Sequence, residues 1–515
     1  MPLDEEVPEQ GVDWRAISPD VTELNLIRQD LTNIEGIQNL RNLRTLYIDG
    51  NYITDLSPLA GLTQLTTLRL SSNRVVDLSP LESLPYLSLL DITGNRVTDI
   101  SPLANLRELS NLRMGKNFVS VIPSLSGMAK LTSLDISENA LSDISGLASL
   151  SQLRDLRFSH NQVSDLSPIA SLAQLSVLQF NGNQVSDLSP LAPLSALAAL
   201  DVAGNPISDL STLGQLTGLH TLTVSDIPAT DYSPLAALRQ LTALTAVGNN
   251  FGTLSFVSSF PQLEMLSLSG EGISDLGPLA SLPNLQFLSL PNSQVQNLGP
   301  LSGLRQIHTL ALNDAQVQNI APLKNLTLLE VLNLSGNAIS DIGPLSGMKK
   351  MTTLKLARNS IRDISVLSKM TQLILLDISD NAVTDLKAIR RLSALESLYL
   401  AGIPINDISK LMQPQEKLRR LDLSRTGFIN FRQLVPYYNL RELALSGNGV
   451  TEVDMLLHLS VLARLDLSQN LISEHAQELT DFAYLTWLNL TGNPLTEQQK
   501  VVLAEQKHPR LEILF

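Results

Sequence analysis

The chain repeats itself with a period of about 22 residues, and this feature constrains its fold more than any other. In the stretch LSVLQFNGNQVSDLSPLAPLSA (175–196), apolar residues surround a single asparagine, Asn183. The same arrangement recurs one period earlier around Asn161 and one period later around Asn205. A fixed period of this length is typical of a solenoid, in which one unit is too small to bury its apolar face and stacked units share a continuous core.

The pattern within each repeat predicts its local structure. Leu178, Gln179 and Phe180 alternate apolar and polar, which predicts a short strand with Gln179 pointing outwards. Asn183 is expected to turn the chain and to hydrogen-bond backbone groups of its own coil and of the next one. Ser189 is expected to cap a short helical or 3₁₀ turn that starts at Pro190. The predicted fold class is therefore an α/β solenoid, a right-handed superhelix with a concave parallel sheet and short helical or 3₁₀ turns on its convex side.

The repeats divide the chain into three predicted segments. Residues 1–20 form an N-terminal lead-in or cap, in which Trp14 covers the open end of the first coil. Residues 21–495 contain about 22 repeats of roughly 22 or 23 residues. Residues 496–515 are a capping helix and an edge strand, and the helix starts with a capping box of Thr496 and Gln499. Just before this cap, residues 473–482 are predicted to form a longer α-helix.

Composition excludes several classes of function. The 515 residues carry a net charge of −14, which argues against general nucleic-acid binding because that needs a basic field. There is no cysteine, and no apolar run approaches the roughly 18 residues of a membrane span. The start has no signal-peptide pattern. The protein is therefore expected to be cytoplasmic if Met1 is the natural start, and secreted or on the cell surface if a signal peptide was trimmed.

Laid out in register, the repeat LxxLxLxxNxIxDLSPLxxL resembles the leucine-rich repeats of bacterial internalins. The segments DLSPLAGL (55–62), DISPLANL (99–106) and DLSPLAPL (187–194) carry this resemblance. More distantly, the chain is similar to the leucine-rich regulatory subunits of protein phosphatase 1. It differs from internalins in lacking an LPxTG motif near Phe515. The resemblance implies binding of another protein on the concave face.

Catalytic and metal-binding motifs do not emerge from the sequence. The six histidines have neither HExxH nor metal-ligand spacing, and no P-loop or G-x-S-x-G motif occurs. Aspartate recurs before the outer turn, as in Asp55, Asp99 and Asp187. These carboxylates are either a Ca²⁺-binding ladder or acceptors for backbone N–H groups of the turn, and we favour the second role because a single file does not supply six converging oxygens. We therefore expect no catalysis, no cofactor and no metal.

The exposed strand positions of the early coils alternate in charge. Tyr47 is followed, at one position per repeat, by Arg69, Asp91, Arg113, Asp135 and Arg157. Alternating charge on neighbouring strands predicts cross-strand ion pairs. Such a series is either a solubilising ladder of ion pairs or a polar docking surface.

The middle coils replace these charges with a mostly apolar stripe. Ala243, Met265, Phe287 and Val331 lie at one strand position, beside small residues such as Ser267 and Ser289. In the same region the recurring asparagine is replaced by Ile227, Glu271, Ser293 and Ala315. The stripe is either a contact site, as exposed apolar patches usually are, or a set of side chains half-buried by their neighbours.

A basic group with aromatic neighbours occupies the last coils. Arg420, Arg441 and Arg464 are flanked by Tyr399 and Trp487. The group either receives an acidic partner segment, because Arg pairs with carboxylates bidentately, or is solvated surface.

Together these patterns predict a non-catalytic, monomeric scaffold that binds a protein on its concave face, with the apolar stripe as the contact. Three alternatives stay open at this stage. They are a carbohydrate-binding surface protein, a self-assembling structural protein and a phosphatase-regulatory-type subunit.

Overall fold

The computed structural model describes residues 12–405, 407–408 and 417–515. It divides into two compact units. Unit 1 extends to Phe251 and includes residues 255–263, whereas unit 2 comprises residues 252–254 and Glu264–Phe515. Each unit is a leucine-rich repeat solenoid, in which every coil adds one short strand to a parallel sheet, most often followed by a 3₁₀ helix.

Unit 1 contains eleven strands among its described residues, and consecutive strands pair in parallel with equivalent repeat positions side by side. Its strands are β1 Glu23–Asn25, β2 Thr45–Tyr47, β3 Thr67–Arg69, β4 Leu89–Asp91, β5 Asn111–Arg113, β6 Ser133–Asp135, β7 Asp155–Arg157, β8 Val177–Gln179, β9 Ala199–Asp201, β10 Thr221–Thr223 and β11 Ala243–Ala246. Its 3₁₀ helices are Trp14–Ala16, Ile37–Asn39, Ser57–Leu59, Ser79–Ser83, Ser101–Leu103, Ser145–Leu147, Ser167–Ile169, Ser189–Leu191, Leu213–Gln215, Ser233–Ala237 and Ser255–Ser259.

Unit 2 contains twelve strands in its described part, again paired consecutively in parallel. These strands are β12 Met265–Leu268, β13 Phe287–Ser289, β14 Thr309–Ala311, β15 Val331–Asn333, β16 Thr353–Lys355, β17 Leu375–Asp377, β18 Ser397–Tyr399, β19 Arg420–Asp422, β20 Glu442–Ala444, β21 Arg464–Asp466, β22 Trp487–Asn489 and β23 Glu512–Leu514. Its 3₁₀ helices are Gly277–Ser281, Gly299–Gly303, Ala321–Asn325, Gly343–Gly347, Ser365–Lys369, Lys387–Arg391, Phe431–Tyr437, Asp454–His458 and Ala476–Asp481. One α-helix, α1, covers Glu497–Gln506.

The core of each unit is a column of leucines and other aliphatic residues that recur at the repeat spacing. In one coil, Leu175, Leu178, Phe180, Val185 and Leu191 are all fully buried. The Phe180 ring stacks on that of Phe158 in the preceding coil, at 5.6 Å between centroids. Because each coil supplies the same positions, the repeat period alone is enough to align the core.

The recurring asparagine bonds its own coil, as predicted, but the prediction that it reaches the next coil was wrong, because it reaches back to the preceding one. Asn183 Oδ1 accepts a hydrogen bond from the Val163 N–H at 3.0 Å, and its Nδ2 donates to the Phe158 carbonyl at 3.1 Å, both in the preceding coil. Nδ2 also donates to the carbonyl of Phe180 at 2.9 Å within its own coil. We call the unbroken series that does this in unit 1, one asparagine per coil from β2 to β9, the asparagine ladder. Its members are Asn51, Asn73, Asn95, Asn117, Asn139, Asn161, Asn183 and Asn205. After the gap at Ile227, Asn249 also bonds its preceding coil.

The recurring aspartate organises the turn before many of the 3₁₀ helices. Asp187 Oδ1 accepts a hydrogen bond from the Ser189 N–H at 2.8 Å, and Oδ2 accepts one from the Ser189 hydroxyl at 2.8 Å. These two bonds hold the pKa of Asp187 below its usual range. The turn role preferred for these aspartates is confirmed. The prediction that Ser189 caps the helix was wrong, since Ser189 is its first residue and the accepting carboxylate lies two residues earlier.

The two ends of the described chain each carry an element outside the regular coils, a 3₁₀ helix at Trp14–Ala16 and the α-helix α1. The ring of Trp14 lies against Gly36, where any side chain would clash with it. At the other end, Thr496 and Gln499 form the predicted capping box at the start of α1. The α-helix predicted at 473–482 was wrong, because this segment holds a six-residue 3₁₀ helix, Ala476–Asp481, preceded by His475 at φ 58°. A left-handed residue breaks helical geometry, so the turn starts late and stays short.

Candidate functional site

Each strand presents two side chains on the exposed face of its sheet. They flank an inward-pointing leucine, as Phe287 and Ser289 flank the fully buried Leu288. Because pairing is in register, equivalent positions form continuous rows across the strands. We call the first residues of the strands the first row and the third residues the second row. These rows are the concave face of the predicted solenoid, and they contain most of the predicted site residues.

In unit 1, the second row carries the alternating charges in the order expected. Tyr47, Arg69, Asp91, Arg113, Asp135 and Arg157 occupy consecutive strands in register. The predicted cross-strand ion pairs were wrong, however. Arg69 Nε lies 3.5 Å from Asp49 Oδ2, outside the row. Arg157 pairs with Asp155 of its own strand, at 3.0 Å from Nε and 3.1 Å from Nη2.

Local bonding explains why the row does not pair with itself. Asp91 and Asp135 each accept the backbone N–H two residues further along, at 3.1 Å and 3.0 Å. Within the described residues, Arg113 lies within ion-pairing distance of no carboxylate. The hydrogen bond that Arg157 donates to Asp155 raises the pKa of Arg157. Around Arg113 and Arg157 the face forms an open polar depression of about 430 Å³.

In unit 2, the first row is mostly apolar over its early strands. Met265 pairs in register with Phe287, and the row continues through Thr309 to Val331. Two residues that the sequence analysis missed, Thr353 and Leu375, extend it. The repeat pattern could have identified both residues, because they occupy the same repeat position as Val331, one and two coils later. We call these six residues, Met265, Phe287, Thr309, Val331, Thr353 and Leu375, the apolar row.

The apolar row is accessible because the neighbouring second row is small where the row begins. Ser267, Ser289 and Ala311 lie beside Met265, Phe287 and Thr309 on β12 to β14. Met265 is 37% exposed, and Phe287 and Val331 are half-buried. Ala243, predicted as part of the same stripe, lies in unit 1, where it is half-buried beside Thr221. The structure therefore assigns three of the four stripe residues to one continuous row of unit 2.

The last coils form a smaller depression of about 190 Å³, which is lined by positively and negatively charged side chains. Arg420 Nε lies 3.0 Å from Glu442 Oε1 on the next strand. This hydrogen bond raises the pKa of Arg420, and burial raises the pKa of Tyr399. The guanidinium of Arg464 lies 4.4 Å from the centroid of the Trp487 ring.

Four of the five residues predicted at this end thus line one depression, and Arg441 is exposed outside it. The acidic wall residues Asp422, Glu442 and Asp466 were missed as site residues. They balance the arginines, so the depression is not a plain basic site for an acidic segment. The face of the Trp487 ring is occupied by Arg464, at a separation typical of a cation–π contact.

Among the described residues, no group of three or more histidines, aspartates or glutamates is arranged to hold a metal ion. In the same part of the chain, no helix is both long and apolar enough to cross a lipid bilayer.

Known proteins share the repeat and the fold. Residues 24–208 match a family model described as a leucine-rich repeat region, and residues 327–369 match one for two copies of leucine-rich repeats. No curated protein matches the chain in sequence.

Solved structures with similar folds include bacterial and plant proteins. The internalin InlF of Listeria monocytogenes is 28% identical over 73% of this chain and 86% of its own, with a TM-score of 0.34. The functional domain of InlJ from the same organism is 23% identical over 68% of this chain and 71% of its own, with a TM-score of 0.51. The Arabidopsis receptor kinase HAESA, solved with the peptide hormone IDA and the co-receptor SERK1, is 23% identical over 96% of this chain and 91% of its own, with a TM-score of 0.56.

Proposed function

We propose that the chain is a leucine-rich repeat protein with internalin-like repeats, and that it is a non-catalytic scaffold that binds a protein partner on the exposed, concave face of unit 2. The leucine-rich repeat fold and its internalin and receptor neighbours support a protein-binding scaffold in general. HAESA is one such neighbour, and its structure contains a peptide hormone. Leucine-rich repeat families are typically non-catalytic binding modules, and their function depends on the residues they expose.

The observation that carries the proposal is the apolar row. From β12 to β17 it crosses five strand spacings, which is about 24 Å at roughly 4.8 Å per strand. An extended partner segment rises about 3.3 Å per residue, so about seven residues would cover the row. Contiguous apolar surface on an otherwise polar face is typical of a contact site.

The mechanism is preorganisation. Each exposed side chain of the row sits on a strand held by parallel pairing, so little order has to be gained on binding. Phe287 and Met265 are the expected anchors, because aromatic and large flexible apolar side chains contribute most at interfaces. Fully burying one such side chain contributes about 1.5–3 kcal/mol.

One observation on the same face distinguishes a protein partner from a carbohydrate. Sugar sites stack rings on exposed aromatic faces. Here the Trp487 ring is covered by Arg464, and Arg69 lies over the Tyr47 ring at 5.7 Å from its centroid. Phe287, the aromatic residue of the apolar row, lies instead beside Met265. This favours the protein-binding scaffold over the carbohydrate-binding alternative.

The test is a double variant, Met265→Ala with Phe287→Ala, used as bait in a lysate of the source organism. A photo-crosslinking residue at position 309, next to Phe287 in the row, identifies what touches the face. We expect the wild-type protein to capture a partner and the double variant to lose most of it.

The matched control is Leu89→Ala with Val177→Ala, which removes two half-buried first-row side chains of unit 1. It should capture as much partner as the wild type. Equal capture by all three proteins, with circular dichroism showing intact folds, would refute the apolar row as the contact. Sedimentation of the wild type at several concentrations separates a partner binder from a self-assembling structural protein.

A further inference from the structure

Positive charges gather on the outer turns of unit 2, on the side of the coils that carries the 3₁₀ helices. We call this group the outer basic patch, and all of its members are exposed. Its members are Lys349, Lys350, Lys369, Lys387, Arg390 and Arg391. The corresponding turns of unit 1 at 167–174, 189–196 and 211–218 contain no charged residue. On a chain with a net charge of −14, this concentration is not the result of overall composition.

The cations of the patch are almost free of internal partners. Lys387 Nζ lies 3.3 Å from Asp385 Oδ2, and both side chains are largely exposed. In the part of the chain that the structure describes, the other five form no ion pair. The nearby carboxylates are engaged by their own turns. Asp363 Oδ1 accepts the Ser365 N–H at 2.8 Å, and Asp385 Oδ1 accepts the Lys387 N–H at 3.0 Å.

The patch surrounds a built depression. The 3₁₀ helices Ser365–Lys369 and Lys387–Arg391 belong to successive coils and enclose an open volume of about 510 Å³. Lys369, Lys387 and Arg391 line it, together with Ala388, two serines and the carboxylates of Asp363 and Asp385, which already accept hydrogen bonds from their own turns. Lys369 and Arg391 end their 3₁₀ helices and occupy the same repeat position on the two coils. A chain that crosses the coils therefore meets a cation on each of them.

We propose that the outer basic patch binds an acidic segment of a partner protein, in an extended conformation that crosses the coils. This surface lies on the outer turns, so the inference goes beyond the proposed binding on the sheet face. Arg391 offers a fork of donors that pairs bidentately with a carboxylate, and the lysines act as flexible point charges. The unpaired cations also steer an acidic partner toward the surface before contact.

Carboxylates suit the patch better than a continuous phosphate backbone. Asp341, Asp363 and Asp385 are exposed and recur between the cations, one per coil. A peptide carries its carboxylates on separate side chains, which can point away from these aspartates. A nucleic-acid backbone carries a negative charge at every nucleotide and cannot do so.

The experiment uses the full chain and a fluorescein-labelled octaglutamate peptide, with binding measured by fluorescence anisotropy at low salt. We expect saturable binding that weakens as salt is added, because exposed charges are screened. Lys369→Gln with Arg391→Gln should weaken it about tenfold, as expected for the loss of two charge-assisted contacts. Lys349→Gln with Lys350→Gln should also weaken it and serves as a second variant.

The matched control is Arg41→Gln with Arg96→Gln, two exposed arginines of unit 1, which changes the net charge equally and should leave binding within about twofold. No saturable binding by the wild type, or equal weakening by both pairs, would overturn the proposal. Tighter, patch-dependent binding of phosphatidylserine vesicles or single-stranded RNA would overturn the choice of a protein segment. The Met265→Ala, Phe287→Ala variant should still bind octaglutamate. Failure of this proposal and failure of the proposed function can therefore be distinguished.

Discussion

The same coil is held together differently in two stretches of the molecule. From β2 to β9 in unit 1, every coil has an asparagine that hydrogen-bonds the coil before it. In the first three coils of unit 2, the equivalent residues are Glu271, Ser293 and Ala315. The leucines of both stretches are nevertheless buried to the same extent. The apolar core therefore sets the shape of the coil, and the asparagine is an additional connection.

The first two coils of the second stretch satisfy their turns by shorter-range bonds, whereas the third is bonded by Asn337 of the coil after it. The Ser293 hydroxyl donates to the Leu290 carbonyl of its own coil at 3.0 Å, and the Ile273 N–H donates to the Gly270 carbonyl at 3.2 Å. These bonds stay within one coil, whereas Asn183 reaches two. The apolar row begins on the same three coils. Loss of the ladder and gain of an apolar face thus coincide, which is what we expect where binding rather than internal bonding is selected.

The largest effect should come from breaking the ladder. Asn183→Ala leaves the Val163 N–H without its acceptor. The carbonyls of Phe158 and Phe180 each lose one bond but keep another, from Asn161 and Asn205 respectively. One unsatisfied buried group costs about 1–3 kcal/mol and each of the two lost hydrogen bonds about 1 kcal/mol or less, so we expect a loss of about 3 kcal/mol in the free energy of unfolding. Urea unfolding followed by circular dichroism measures it. Gln184→Ala, at the exposed neighbouring position, is the control, and an equal loss there would refute the role of the ladder.

A smaller effect is expected where the ladder is already absent. Ser293→Ala removes a single buried hydrogen bond, so it should lower the free energy of unfolding by about 1 kcal/mol. The same urea measurement compares it directly with Asn183→Ala. If Ser293→Ala cost as much as Asn183→Ala, the two stretches would not differ in the way proposed.

The apolar row should matter little for stability. Met265→Ala with Phe287→Ala removes side chains that are exposed or half-buried, so we expect a change of less than about 1 kcal/mol in the free energy of unfolding. Thermal unfolding of this variant and of Leu89→Ala with Val177→Ala gives the comparison. A large loss would mean that the row is part of the core, and the binding test would then have to use single substitutions.

The smallest effect is a difference in acid sensitivity. Serine N–H and hydroxyl groups hold the pKa of Asp165, Asp187 and Asp231 below the usual range, with the hydroxyl foremost for Asp165 and Asp231. A lowered folded-state pKa stabilises the fold above the unfolded-state pKa, and this stability is lost as the pH falls through the folded-state pKa. In unit 2, Asn297 and Asn319 fill the same role at 2.9 Å without titrating.

The triple variant Asp165→Asn, Asp187→Asn, Asp231→Asn should therefore lose less stability than the wild type when the pH is lowered from neutral to below the usual aspartate pKa. The urea midpoints at the two pH values give the slope of stability against pH. An unchanged slope would show that these turns do not contribute to the pH dependence. Substituting aspartate for Asn297 and Asn319 should steepen it.

Much of the fold and part of the candidate site followed from the sequence. The asparagine ladder, the aspartate turns and the capping box at Thr496 were predictable because each is a local or strictly periodic pattern. The apolar row was recognised only in part. Extending the row to Leu375 required knowing that the strands stay paired in register. Assigning Ala243 to the other unit required knowing how the chain divides into units.

The sequence by itself determined the coil, because the period sets which residues point inward and apolar burial aligns successive coils. Only the tertiary structure decided how the long charged side chains pair. Arg69 contacts Asp49 rather than Asp91, and Arg464 lies over Trp487. A long side chain on a parallel sheet can reach several partners at similar energy, so its choice depends on rotamers and on bonds already made by the carboxylates. No repeat pattern contains that information.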